Sequence, residues 1–138
     1  MIDSYVLDAC ALIAYFKDEK GWELIDDLIE RAALGELRLT MSKYNLLEVY
    51  YGFYSDDGKD RAEEMLRDVY VLPIQIAEDL SDAVFHEAGR LKASYSISLA
   101  DAVALGLASA SGVPLVTSDH HEFSVIEQGE AIAIHWYR

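Results

Sequence analysis

Four carboxylates stand within or just after apolar runs: Asp8 in YVLDACAL, Glu48 in YNLLEVY, Asp101 in SISLADAVAL and Asp119 in PLVTSDHHEF. If SISLADAVAL is helical, Asp101 shares its face with Ala104, Leu105 and Ala108, where an unpaired carboxylate suffers a desolvation penalty of several kcal/mol. Each acid alone has an ordinary explanation. Ser98 and Asp101 match a capping box, which stabilises a helix by about 1 kcal/mol. Asp8 and Asp119 could each cap a helix that follows a strand, and Glu48 could hydrogen-bond Tyr44 or Tyr51. Together the four pose a different problem, because carboxylates converging within ~4 Å repel by roughly 4 kcal/mol per pair at an effective dielectric of about 20. A hard divalent cation removes that conflict. Mg²⁺ favours oxygen ligands, keeps several waters and takes one or two carboxylates directly, so the others act through those waters.

The elements that must bring these acids together follow from periodicity. Residues 4–7 read as a short buried strand, and Ala9, Leu12, Ile13 and Phe16 follow at helical spacing. Trp22 to Ala32 makes a second helix, ended by Gly35, and residues 37–40 are a strand. Ser42 caps a third helix with Leu46, Val49, Tyr50 and Phe53 on one side. Its other side, Tyr44, Leu47, Glu48 and Tyr51, is also mostly apolar, which predicts an enclosed helix. The polar SDDGKD loop precedes a helix to about Val69, and Tyr70 to Ile74 reads as a strand interrupted or ended by Pro73. A long helix over about 78–94 turns Leu80, Val84, Ala88 and Leu91 inward. The Asp101 helix is closed by Gly112, residues 113–117 form a strand, a short helix starts near Asp119, and residues 131–134 form the last strand.

Strands separated by helices imply an α/β fold, a three-layer α/β/α sandwich with a central parallel sheet. In such sheets the ligand crevice lies beyond the carboxyl ends of the strands. Asp8 and Asp119 directly follow strands in this reading, and Asp101 can reach the same edge. A length of 138 residues suits a single domain over 1–138.

The formal charge of −14 argues against non-specific nucleic-acid binding through a basic surface, although divalent cations can invert the potential of an acidic site. Eleven Lys and Arg are scattered, with only Lys59 and Arg61, or Arg90 and Lys92, close together. Tyr50, Tyr51, Phe53 and Tyr54 could stack single-stranded bases or pack in a core or dimer. The single Cys10 excludes an internal disulfide, fits a reducing cytoplasm, and reads as a small buried apolar residue. The first apolar run is broken by Asp8 and ends at Lys17, so neither an export signal nor a membrane anchor is expected. Adjacent His120 and His121 read as solvated rather than as ligands of a transition metal.

VLDA with Asp8, YNLLEV with Asn45 and Glu48, SLADAVAL with Asp101 and LVTSDHHEF with Asp119 together resemble the PIN-domain family, and within it the small VapC-type toxins of toxin-antitoxin pairs. The resemblance implies a PIN-like α/β/α fold and a site in which Asp8, Glu48, Asp101 and Asp119 bind Mg²⁺ or Mn²⁺ for endonucleolytic cleavage of RNA, leaving a 5′-phosphate and a 3′-hydroxyl. Thr117 and Asn45 are implied as supporting residues, and Glu122 as a weaker extra ligand. A cognate antitoxin protein and a homodimer are the expected partners, with a basic antitoxin side chain entering the acid pocket.

The main alternative is a non-catalytic PIN-like module whose acid pocket only receives a Lys or Arg of a partner. A DNA nuclease of the related flap-cleaving kind is a third reading. A phosphoryl-accepting domain is disfavoured, since VLDAC has no second aspartate two residues on.

Overall fold

The computed structural model describes residues 2–138. In chain order its elements are β1 (Asp3–Leu7), α1 (Ala9–Lys17), α2 (Trp22–Ala33), β2 (Leu37–Ser42), α3 (Lys43–Asp57), α4 (Lys59–Val71), β3 (Ile74–Ala77), α5 (Asp82–Ser94), α6 (Leu99–Ser111), β4 (Leu115–Thr117), α7 (His120–Gly129) and β5 (Ile134–Trp136). The strands form one sheet in the order β3-β2-β1-β4-β5, every pairing parallel.

Successive strand residues face opposite sides of the sheet, and this alternation builds two cores. Leu7 and Val116 join one with apolar residues of α1, α2, α3 and α4, while Val6 and Leu115 join the other with those of α5, α6 and α7. Full burial of each such aliphatic side chain contributes about 1.5–3 kcal/mol. The result is the α/β/α sandwich expected from the sequence.

The chain passes from β1 to β2 on one side, whereas β4 lies on the other side of β1. The gap between β1 and β4 is therefore a topological switch point, where connections diverge and a crevice opens. Leu7 pairs with Val116, and the Asp8 N–H donates to the Val116 carbonyl at 3.0 Å, so the two strand ends lie side by side.

Several local expectations differ from the structure. The third strand begins after Pro73, at Ile74, and not at Tyr70. Tyr70 and Val71 complete α4, which stops when the Leu72 N–H bonds the Asp68 and Val69 carbonyls. The last strand lies at 134–136 instead of 131–134 because pairing with β4 sets its register, Leu115 opposite Ile134. SDDGKD is a loop only at Gly58, whose φ of 89° ends α3; Ser55, Asp56 and Asp57 remain helical. Leu80 precedes the Ser81 cap of α5 and is exposed. The α3 helix is not enclosed either: Tyr44, Leu47 and Tyr51 are exposed along one side.

Candidate functional site

Asp8 ends β1 and caps α1. Its Oδ1 accepts from the Ala9 N–H at 2.8 Å, and its Oδ2 accepts from Thr117 Oγ1 at 2.9 Å and Cys10 Sγ at 3.4 Å. Thr117, fully buried, also accepts the Asp119 N–H on the same hydroxyl at 3.2 Å. One threonine thus ties the carboxylate after β1 to the backbone of the acid after β4. Asp119 caps α7 through Oδ1, which accepts from the Glu122 N–H at 3.1 Å.

A second tie joins the other two acids. Asn45, fully buried, donates through Nδ2 to Glu48 Oε1 at 3.3 Å and to the Ala100 carbonyl at 3.1 Å. It links the helix that carries Glu48 to the first turn of α6, where Asp101 sits three residues past its cap and donates its N–H to Ser98 Oγ at 3.1 Å. This orientation of the Asn45 amide is the one that directs its donors at two acceptors, and it leaves Oδ1 buried without a partner. The anticipated tyrosine partner of Glu48 is replaced by Asn45.

Asp8, Glu48, Asp101 and Asp119 line one cavity of about 290 Å³, with Cys10 and Tyr51 among its other walls. Among the described residues no Lys, Arg or His lines it. The electrostatic cost is visible in each buried acid. Burial, with a smaller push from Asp119, raises the Asp8 carboxyl above its usual range despite the bonds from Thr117, Ala9 and Cys10. Burial and then the Asp8 charge raise Glu48, and burial and then Asp8 push Asp101 up to about 7. These are carboxylates held together at a cost that a cation would remove.

The donor set fits a hard ion. It is rich in carboxylate oxygen, and Cys10 supplies a thiol rather than a thiolate, since burial and the Asp8 charge push it up to about 11. Among the described residues no group of three or more His, Cys, Asp or Glu side chains stands close enough to hold an ion by direct ligation alone.

The supporting residues fall into place unevenly. Thr117 and Asn45 each bond an acid of the cavity. Glu122 contributes its backbone N–H to Asp119, and its side chain is not part of the cavity wall. Cys10 is half-buried and hydrogen-bonded at the wall, not a plain apolar core residue. Its place two residues after Asp8 in the first helical turn was the signal for this. Tyr51, three residues after Glu48 on α3, was the corresponding signal for the opposite wall. His120 is exposed and stacks on Trp136, ring centroids 3.8 Å apart, away from the cavity.

Parallel strands covered on both faces, with acids gathered where the connections diverge, define an α/β/α protein organised around an oxygen-rich cleft. The chain belongs to the PIN domain family, whose sequence pattern matches residues 5–128. Solved structures share the fold at low identity. VapBC2 from Rickettsia felis, bound to a promoter DNA fragment, superposes with a TM-score of 0.74 at 19% identity, covering 96% of this chain and 98% of that one. DNA-bound VapBC from Salmonella typhimurium gives 0.74 and 19% with full coverage of both chains, 100% and 100%. VapC20 from Mycobacterium tuberculosis, a Sarcin-Ricin loop cleaving toxin, gives 0.68 and 12%, covering 88% and 94%. Comparison with curated protein sequences returns no match.

Proposed function

We propose that the chain is a VapC-type toxin, a Mg²⁺- or Mn²⁺-dependent endoribonuclease restrained by a cognate antitoxin. The observation that carries this reading is the single cavity lined by Asp8, Glu48, Asp101 and Asp119 at the switch point of a PIN fold. Membership of the PIN domain family and the similarity to VapBC complexes and to a Sarcin-Ricin loop cleaving toxin support it.

Asp8, Glu48, Asp101 and Asp119 would hold the divalent ion, some directly and some through its waters. When bound, the ion supplies Lewis-acid polarisation of a phosphate oxygen and a more acidic water. The protein's own contribution is placement. Asp8 is fixed at both oxygens, Glu48 is fixed at Oε1 by Asn45, and the two capped helix starts hold Asp101 and Asp119 at the rim. Glu48 Oε2 accepts no hydrogen bond among the described residues and is free to take the proton of the attacking water. The new bond would form between the water oxygen and phosphorus as the bond to the 3′ oxygen breaks; that oxygen would take a proton from solvent water, and Glu48 would return the proton it accepted to solvent. The products are a 5′-phosphate and a 3′-hydroxyl.

Of the eleven Lys and Arg, Lys17, Arg31, Lys43, Arg61 and Arg90 are engaged in ion pairs on the surface. A cytoplasmic homodimer completes the reading; among the described residues no helix is long and apolar enough to cross a membrane.

The test is cleavage of structured RNA by the purified chain with EDTA, Mg²⁺ or Mn²⁺. Cutting is expected only with metal, and Asp8→Asn is expected to reduce it by roughly 100-fold or more, about 3 kcal/mol of barrier, with the circular dichroism of the fold retained. Antitoxin binding without metal-dependent cutting would leave the partner-binding module as the function. Faster turnover of DNA than RNA would make the chain a DNA nuclease.

A further inference from the structure

Tyr137 lies just past β5, nearly fully buried, and does not line the acid cavity. Its hydroxyl donates to the Cys10 carbonyl at 3.0 Å and accepts from Ser118 Oγ at 2.9 Å, while its backbone N–H donates to the Thr117 carbonyl at 3.2 Å. Cys10 stands two residues after Asp8, and Ser118 immediately precedes Asp119. One phenol therefore bridges the two turns that carry these acids.

The ring is itself held from behind. A Cβ at Gly21 would come within 2.7 Å of Tyr137 Cδ2, so only glycine, here at φ 90°, lets the α1–α2 connection close over the ring. Arg138 Nη1 donates to the Lys20 carbonyl at 3.0 Å, and the Arg138 carbonyl lies 2.8 Å from His120 Nε2. Tyr137 and Arg138 lie beyond residue 128, where the family match ends, while their partners Cys10, Lys20, Ser118 and His120 lie within it.

We propose that Tyr137 is a positioning residue for the acid cavity, its hydroxyl fixing the separation of the Asp8 and Asp119 turns for a divalent cation. The proposal rests on the metal-dependent reading above and deepens it. Partners bonded directly to metal ligands typically change affinity by about 10–100-fold when removed; Tyr137 acts through the backbone of Cys10 and the hydroxyl of Ser118, which puts its effect at the lower end of that range.

The experiment titrates Mn²⁺ alone, by calorimetry, into the wild-type chain, Tyr137→Phe, Asp8→Asn and Ile25→Val, the last a buried α2 position remote from the clasp. Phenylalanine keeps the ring and deletes the hydroxyl. Tyr137→Phe is expected to bind Mn²⁺ about tenfold more weakly, with cleavage restored by excess Mn²⁺ and KM for RNA unchanged, while Ile25→Val binds as wild type. Wild-type affinity in Tyr137→Phe overturns the proposal, as does an equal loss in Ile25→Val. Wild-type protein that binds no Mn²⁺, or Asp8→Asn that binds as well as wild type, overturns the metal reading and this inference with it. If Tyr137→Phe does not fold, Ser118→Ala decides: weaker Mn²⁺ binding supports the bridge, and unchanged binding overturns it.

Discussion

Asp101 belongs at once to the capped first turn of α6 and to the wall of the acid cavity. Its N–H completes the Ser98 cap, while its carboxyl, half-buried beside Asp8, is pushed up to about 7. An unfolded aspartate titrates near 3.9, so the native state holds the extra proton between those values. Stability of the metal-free fold therefore falls as pH rises from about 4 through 7 and levels off above. Asp8 and Glu48 shift in the same direction and add to the slope. Asp101→Asn is expected to stabilise the metal-free protein at pH 8 by roughly 1 kcal/mol, a figure reduced for solvent screening of a partly exposed group. Urea unfolding in EDTA measures this gain, and saturating Mn²⁺ is expected to reverse the order of the two proteins. The capping pattern SLAD was legible in the sequence; the size of the penalty was not, because it depends first on how deeply packing buries the carboxyl and then on Asp8 arriving from 93 residues away.

Helices and strands place these acids through contacts of different kinds. The α5–α6 crossing is close because Gly106 is a glycine: a Cβ there would lie 2.9 Å from the Ala88 backbone nitrogen and 3.1 Å from the Val84 carbonyl oxygen. Gly106→Ala improves helix propensity by about 1 kcal/mol, yet it must push two backbones apart. A net loss of about 1–3 kcal/mol is expected, read as a lower thermal midpoint, and a variant as stable as wild type would mean that the crossing tolerates a shift. Elements set by local signals were legible, including the Ser42 and Ser98 caps and the Gly112 stop, whereas the Ser81 cap, which starts α5 later than expected, was not. Elements set by partners were less so. Tyr70-Val71 has strand-like composition but finishes a helix, and the alternation at 131–134 gives way to the register that β4 imposes. The exposed tyrosines of α3 escaped for the same reason, since periodicity identifies an apolar side without saying what covers it.

At the scale of the whole molecule, the formal charge is −14 and the acid cavity has no Lys, Arg or His among its described lining residues. The sheet order brings Asp8 and Asp119 together, Asn45 links the Glu48 and Asp101 helices, and no positive side chain among the described residues lines the space between them. The four acids could be picked from the sequence because each follows a strand or opens a helix, or interrupts an apolar helix face. The Thr117 and Tyr137 bridges depend on which strand ends become neighbours, a property of topology rather than of any short motif. The account reduces to one electrostatic claim, that a divalent cation displaces the protons this cavity otherwise retains. The most direct measurement is calorimetric Mn²⁺ binding in buffers of different ionisation enthalpy at pH 6.5 and pH 8.5. The account predicts release of the order of one proton per bound ion at the lower pH, diminishing at the higher, with tighter binding as pH rises. Binding with no proton release and no pH dependence would contradict it.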